Sequence, residues 1–393
     1  MNRASGWRLP LLIALLSSAL CACVTLPRTE FTASQQSAAT PAGFGQVRYS
    51  QDDPALAEML ARIEPDAQGV VNTLAISGGG ANGAYASGVL YGWSQTKQRP
   101  QFQLVTGVSA GALAAPFAFL GSDWDESLKQ TYLSGKLDHF LQARFLLRLL
   151  TPGFFSKAPL EDLVRAYVTE DLLHAVAAEH AKGRRLLVAT TDLDTEQLVV
   201  WDMGAIASRP GPEARALFAQ VLTASASVPG VFAPTMIEVE GEGRRFAEMH
   251  VDGQADSAFF ALPQTLLLGM RPQAPRFKHH LFILVNGQLN SPFSVTPRAT
   301  IPVLLRTIDA ATKASVRSSL ISTLEFCQRN GCDLSVSALP DTVVDDSLDF
   351  SHAHIVSLFS AGEAAAIAGQ AWTAAQPALA EPVQPVGPTA SKP

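Results

Sequence analysis

Apolar residues occur along this chain in short runs that are separated by longer segments of mixed polarity. Largely apolar runs with the length of buried strands occupy residues 73–77, 104–108, 186–191, 198–201 and 281–286. Apolar residues at helical spacing occupy residues 53–63, 159–181 and 357–375. Strands that alternate with helices indicate an α/β fold, in which helices cover both faces of a largely parallel central sheet to give three layers.

The two ends of the chain lack this pattern. Residues 24–50 are rich in Thr, Ser, Gln, Ala and Pro, so residues 23–50 are interpreted as a flexible tether. Pro and Ala dominate residues 376–393, which indicates a disordered tail. Because no second linker and no internal repeat lies between these ends, we predict one domain over residues 51–375.

Residues 1–22 have the features of an export signal. Arg3 and Arg8 form a positive start, and the apolar run over residues 9–20 is short for a membrane span. Loss of this segment removes two arginines and no acidic residue, which makes the net charge of −6 more negative. That charge argues against general attraction to nucleic acid or anionic lipid, and no protein partner is predicted.

Residues 20–23, Leu-Cys-Ala-Cys, resemble the lipobox of bacterial lipoproteins, in which a small residue precedes the cysteine that is diacylated. The resemblance implies that Cys23 is lipidated, because Cys21 follows a leucine instead. More than one acyl chain would make the anchor in the cell envelope durable. Since Val24 is not an aspartate, the resemblance favours the outer membrane. The alternative is an ordinary signal peptide that is cleaved near Ala22.

Two further cysteines, Cys327 and Cys332, flank a short segment that contains an Asn-Gly pair. In an oxidising compartment they could close a small loop through a disulfide, because Asn-Gly favours a tight turn. The alternative is two unpaired thiols. Two cysteines alone cannot form a structural zinc site, so no metal is expected there.

The first chemical motif is G-x-S-x-G over residues 107–111, directly after a predicted strand and before a run of small residues. A serine on a sharp strand-to-helix turn projects its oxygen above the sheet, and Gly107 and Gly111 allow close backbone packing. The amide of Ala110 would then point toward an oxyanion at Ser109. The alternative is a glycine-rich turn that only packs tightly.

The second motif is a glycine loop over residues 77–84, again after a strand. Consecutive glycines leave amides uncovered, so the loop can bind an anion. Gly78, Gly80 and Gly83 also satisfy the dinucleotide pattern G-x-G-x-x-G. That pattern expects an acidic residue about 20 positions on, and residues 84–122 contain no Asp or Glu. An oxyanion is therefore the favoured ligand.

The third motif is Asp252-Gly253, which follows an alternation of apolar and polar residues over 245–251. A carboxylate at a strand end could reach Ser109 across the fold. Asp-Gly alone is a weak signal, because it is also a common turn.

Together, the glycine loop, G-x-S-x-G and Asp-Gly occur in the order found in patatin-like phospholipases. Residues 224–234 resemble the A-S-x-x-x-P-x-x-F-x-P block of that family, and residues 191–195 resemble its T-D-x-x-T strand end. The resemblance covers about residues 74–372. Two positions depart from the pattern: Gln254 follows Asp-Gly where the family has a small residue, and Thr190 stands where alanine is usual.

The resemblance implies a Ser-Asp dyad, and hydrolysis by such a dyad needs neither a metal nor a cofactor. Asp252 would accept the proton of Ser109 as it attacks a phospholipid or lysophospholipid ester, and an acyl-serine would form. A free carboxyl has a pKa of about 4, and we expect burial to raise that of Asp252. The oxyanion would be bound by backbone amides of the glycine loop and of the residue after the nucleophile, namely Gly78, Gly79, Gly80, Gly83 and Ala110.

Other bases remain possible from the sequence. A triad would need a late histidine, and the candidates are His279, His280, His352 and His354. His352 and His354 lack a matching third residue for a metal site. Asp192 and Asp194 lie at a strand end, which suits a catalytic carboxylate but also a polar turn.

Two alternatives concern the role of the chain. Residues 140–155 contain a strongly apolar helix with two arginines, which is either a buried helix or a lid that admits acyl chains. The other reading of the whole protein is a membrane-anchored lipoprotein that binds lipid or a partner with little turnover.

Overall fold

The computed structural model describes residues 28–135, 158–229, 231–268, 277–290, 293 and 295–375. The export signal, Cys23, residues 140–155 and the predicted tail lie outside this part of the chain. Among the helices of the described residues, none has both the length and the apolar character needed to cross a membrane.

Within the described residues, eleven strands form one mixed sheet. They are β1 (Thr40–Pro41), β2 (Arg48–Ser50), β3 (Val70–Ile76), β4 (Leu104–Val108), β5 (Arg185–Asp192), β6 (Gln197–Asp202), β7 (Thr235–Gly241), β8 (Arg244–Asp252), β9 (Lys278–Val285), β10 (Asp333–Ala338) and β11 (Thr373–Ala374). The centre runs β5, β4, β3, β9, β10, and all of these neighbours pair in parallel. Antiparallel strands extend both edges, and β8 pairs with the end of β5.

The helices of the described residues are α1 (Ala33–Ser37), α2 (Pro54–Ala61), α3 (Gly83–Gln95), α4 (Ala110–Leu120), α5 (Asp125–Leu133), α6 (Ala158–Tyr167), α7 (Glu170–Ala181), α8 (Met203–Ala207), α9 (Pro212–Ser225), α10 (Gln264–Leu267), α11 (Thr300–Asn330) and α12 (His352–Ile367). They leave the carboxyl ends of β3, β4 and β9 together at one edge of the sheet, where loops can form a site.

Alternate residues of β9 show how the sheet is covered. Phe282 and Leu284 belong to the core shared with α3, α4, α9 and α12. Leu281 and Ile283 face the other way and pack with Leu320 of α11. The predicted α/β fold with three layers and a largely parallel central sheet is confirmed.

Element boundaries differ from the sequence-based prediction in two helices. The helix predicted over residues 159–181 is divided between α6 and α7, because Thr169 caps α7 by accepting from the Leu172 amide at 3.2 Å. The helix predicted over 357–375 begins earlier, at His352, and ends at Ile367. Cys327 and Cys332 are joined by a disulfide across the end of α11, with their Cα atoms 4.6 Å apart.

The prediction of a flexible tether is wrong for residues 28–50, which fold against the domain. Arg48 on β2 is buried and forms two hydrogen bonds with Glu248 on β8, the longer of them 2.8 Å. Phe31 stacks on Phe246 of the same strand, with ring centroids 4.3 Å apart. The polar composition of this segment suggested a tether. Its contacts could not be seen in the sequence, because the partner residues lie some 200 positions away.

Removal of the Arg48 cation should destabilise the protein strongly. In Arg48→Met, Glu248 stays buried without its arginine and keeps only His250 Nε2, 3.3 Å away, so we expect the free energy of unfolding to fall by about 3 kcal/mol or more. The control is Arg62→Met, whose exposed arginine lies 3.9 Å from Glu58, and it should change that energy by less than about 0.5 kcal/mol. Denaturant unfolding measures both. Equal stability of the two variants would show that residues 28–50 add little to the fold.

Candidate active site

Ser109 lies on a sharp turn between β4 and α4. Its backbone has φ 56° and ψ −124°, a conformation that is unfavourable for a residue with a side chain. A Cβ at Gly107 would come within 2.6 Å of the Gly111 carbonyl oxygen, and a Cβ at Gly111 would overlap the Ile76 carbonyl. The two glycines therefore let the turn close, and the serine is held at the carboxyl end of the sheet.

The strained turn is fixed by Ser225, the last residue of α9. The Ser109 amide donates to Ser225 Oγ at 2.9 Å, and Ser225 Oγ donates to the Ala189 carbonyl at 2.7 Å. Ser225 was not among the predicted site residues. It could have been found in the A-S pair of the 224–234 block.

Asp252 lies at the end of β8 and meets Ser109 directly. Ser109 Oγ donates to Asp252 Oδ2 at 2.5 Å, and the Gln254 amide donates to Oδ1 at 2.9 Å. Both side chains are almost inaccessible, since Ser109 is 2% and Asp252 1% exposed. The pairing of β8 with β5 brings them together, although 143 positions separate them along the chain.

Burial of its carboxyl raises the pKa of Asp252 to about 7. The hydrogen bonds from Ser109 and from the Gln254 amide act in the opposite direction, because they stabilise the ionised form. A carboxylate with this pKa is still ionised above neutral pH and is a far stronger base than an exposed aspartate.

The glycine loop begins where β3 ends. Its backbone has φ 152° at Gly79 and φ 56° at Gly80, which side chains would strain. Two predicted oxyanion donors are engaged elsewhere: the Gly78 amide donates to the Ala258 carbonyl at 3.2 Å, and the Gly83 amide donates within its own turn. They cannot serve as free donors because their hydrogens are already used.

Three amides of the predicted set are left for an anion. Those of Gly79, Gly80 and Ala110 have no acceptor within the described part of the chain. Gly80, Ser109 and Ala110 also line one pocket of about 50 Å³. Its other walls are almost wholly apolar and include Leu113, Leu160, Leu163, Val228, Phe232 and Ile355.

The sequence of this region matches the family model described as patatin-like phospholipase, over residues 74–259. Residues 74–259 belong to the patatin-like phospholipase family. The matched range contains the glycine loop, Ser109 and Asp252. It is a lipid acyl hydrolase domain.

Comparison with solved structures finds matches at low sequence identity and low TM-score. VipD from Legionella pneumophila is 13% identical, with 90% of this chain and 73% of that chain covered and a TM-score of 0.32. Human GIVD cytosolic phospholipase A2 is 12% identical over 74% of this chain and 52% of that one, with a TM-score of 0.34. The type III effector protein ExoU is 14% identical over 78% and 54%, with a TM-score of 0.30. No curated protein sequence matches this chain significantly.

The four histidines that could complete a triad all follow the matched range in the sequence. His279 and His280 stand near the start of β9, at the opposite end of the strand from the site, and His280 Nε2 lies 2.9 Å from Ser335 Oγ. His352 and His354 begin α12. Among the described residues, the structure records no hydrogen bond between a histidine and Ser109.

Asp192 and Asp194, the alternative candidates for the catalytic base, form contacts away from Ser109. Asp192 accepts from Gln36 Nε2 at 3.0 Å, and Asp194 pairs with both terminal nitrogens of Arg28 at 2.7 Å. Both therefore bind residues of the amino-terminal segment. Over the described ranges, no cluster of three or more His, Cys, Asp or Glu side chains could hold a metal ion.

Proposed function

We propose that the chain hydrolyses fatty-acyl esters of phospholipids or lysophospholipids through a Ser109–Asp252 dyad. The observation that carries the proposal is the 2.5 Å hydrogen bond between these two buried side chains, beside an apolar pocket. Membership in the patatin-like family supports a lipid substrate.

In the first step, Asp252 Oδ2 accepts the Ser109 proton while Oγ attacks the ester carbonyl. Negative charge develops on the carbonyl oxygen, and the free amides of Gly79, Gly80 and Ala110 are the donors available to bind it. Collapse of the tetrahedral intermediate breaks the ester bond. The departing alcohol takes the proton from Asp252, and the acyl group stays on Ser109.

In the second step, a water molecule attacks the acyl-serine and gives its proton to Asp252. The same amides bind the second oxyanion, and the fatty acid leaves as Ser109 recovers its proton. The almost wholly apolar side chains of the pocket suit the acyl part of an ester better than a charged head group.

This mechanism makes activity depend on the ionised form of Asp252. With a pKa of about 7, kcat/KM is expected to fall about tenfold per pH unit below that value and to level off above it. A neutral short-chain p-nitrophenyl ester, assayed from pH 5 to pH 9, measures the profile. Activity that stays constant down to pH 5 would exclude Asp252 as a base with a raised pKa.

The substrate class is tested by the products. The domain from residue 24 onward is incubated with mixed phospholipids and lysophospholipids, and released fatty acids are identified by mass. Release from either class supports the proposal, and the mass of the product that keeps the head group identifies the lipid that was cleaved. Binding to lipid vesicles without any release would instead favour the lipoprotein that binds lipid with little turnover.

We further propose that Cys23 is lipidated and anchors the chain to the outer membrane. The support is the lipobox-like sequence before Cys23 and the absence of aspartate after it. Cys23→Ser should abolish labelling by a fatty-acid analogue and release the protein from the membrane fraction, whereas Cys21→Ser should leave both unchanged. The opposite result would assign the anchor to Cys21.

A further inference from the structure

The loop that follows β10 forms hydrogen bonds with the glycine loop. The Ser347 carbonyl accepts from the Ala81 amide at 2.9 Å, and Asp345 Oδ1 accepts from Asn82 Nδ2 at 2.6 Å. Ala81 and Asn82 directly follow the glycine pair whose amides are free. Contacts at these two residues therefore set where that pair lies.

The Asp345 carboxylate joins three parts of the fold. Its second oxygen lies 3.1 Å from Lys313 Nζ on α11 and 3.3 Å from the Gln288 amide, which follows β9. The side chains of Lys313 and Asp345 are only 12% and 10% exposed. An ion pair this shielded keeps more of its strength than one in open solvent, so the carboxylate is held firmly.

Gly79 and Gly80 have no side chains that could hold them in place, and their positive φ values are a conformation that glycine adopts readily. Within the turn, the Asn82 amide donates to the Gly79 carbonyl at 3.1 Å, and Asn82 is itself bound by Asp345. Oxyanion donors act only when they are fixed before the charge develops, and small displacements weaken them strongly. The side chain of Asn82 is 1% exposed and is the link from this pair to Asp345.

We propose that Asp345 is a positioning residue that acts through Asn82 to hold the Gly79 and Gly80 amides in place for the oxyanion. This inference rests on the proposed hydrolase function. Asp345 touches neither Ser109 nor Asp252, so its effect is on the stabilisation of the transition state and not on the base.

Kinetics of a double-mutant cycle test the proposal. Asp345→Ala and Asn82→Ala are each expected to lower kcat on a short ester at least about tenfold, with KM within about twofold of wild type. The double variant should lose no more than the single variants, because both remove one link. The midpoint of the pH profile should stay near 7, since Asp252 keeps its surroundings. Asp341→Asn, an exposed carboxylate of the same loop, is the control and should match wild type.

Hydrogen exchange gives a readout that needs no substrate. Deuterium uptake over residues 77–83 should rise in Asp345→Ala, while uptake over residues 104–112, which contain Ser109, stays as in wild type. If Asp345→Ala does not fold, Asn82→Ala provides the same two measurements.

The outcomes separate the two proposals. A wild-type protein without esterase activity overturns the hydrolase function, whatever the exchange result. An active wild type whose Asp345 and Asn82 variants keep kcat within twofold overturns the positioning role, and so does unchanged exchange over residues 77–83. If the two decreases in kcat add in the double variant, Asp345 acts by a route other than Asn82.

Discussion

Replacement of Ser109 by alanine is expected to lower kcat/KM for an acyl ester on the order of 10⁴-fold or more. The hydroxyl is the group that Asp252 contacts and the one that opens into the apolar pocket. Without it, no acyl-enzyme can form, and only the free amides and the pocket remain to favour hydrolysis. The loss should be in kcat, because the walls of the pocket are unchanged.

The matched control is Ser208→Ala, an exposed serine whose hydroxyl only donates to the Gly204 carbonyl. It should retain wild-type rates. A fluorophosphonate probe provides a second measurement: mass spectrometry should find one adduct, at Ser109, in wild type and none in Ser109→Ala. An adduct at another serine, or hydrolysis that survives in Ser109→Ala, would assign the nucleophile elsewhere.

Asp252→Asn is expected to abolish turnover to a similar extent while making the protein more stable. Asparagine matches the shape of aspartate but cannot accept the Ser109 proton, so kcat should fall by about 10³-fold or more. Asp194→Asn, which changes a carboxylate bound to Arg28, should keep activity within a few-fold. Inactivation by Asp194→Asn instead would move the base to the end of β5.

The gain in stability has a defined pH dependence. In the unfolded chain the Asp252 carboxyl has a pKa of 3.8, and in the folded protein burial raises it to about 7. Between these values the folded state holds a proton that the unfolded state has lost, so wild-type stability falls as pH rises and levels off above about 7. Asparagine has no such dependence. The difference in unfolding free energy between the two proteins should therefore grow by about 3 kcal/mol from pH 5 to pH 8. Denaturant unfolding at both pH values measures it, and a constant difference would contradict the raised pKa.

Features that depend on residues close together in the chain could be predicted from the amino-acid sequence. The strand over residues 104–108 matches β4 in both bounds, because a short apolar run between polar and small residues defines its own ends. The turn at Ser109 follows from glycines two positions to either side. The pairing of Ser109 with Asp252 required the family resemblance, since nothing local in Asp-Gly distinguishes a base from a turn.

Features that depend on distant partners could not be predicted. The buried pair of Arg48 and Glu248 joins residues 200 positions apart, and each alone has the appearance of an exposed charge. The amides of Gly78 and Gly83 were expected to be free because a glycine loop leaves its amides uncovered, yet a carbonyl from another loop occupies the first. No local sequence motif marks Asp345. Its place beside the glycine loop follows only from the fold, which brings three segments of the chain together around its carboxylate.

The fold of residues 28–50 also sets how far the enzyme can act from its proposed anchor. Only five peptide units separate Cys23 from Arg28, which is already bound to Asp194 on the surface of the domain. A fully extended chain of that length spans at most about 18 Å. Attached through Cys23, the domain would stay within about one leaflet's thickness of the bilayer that holds it. Lipids of that same membrane would then be the substrates within its reach.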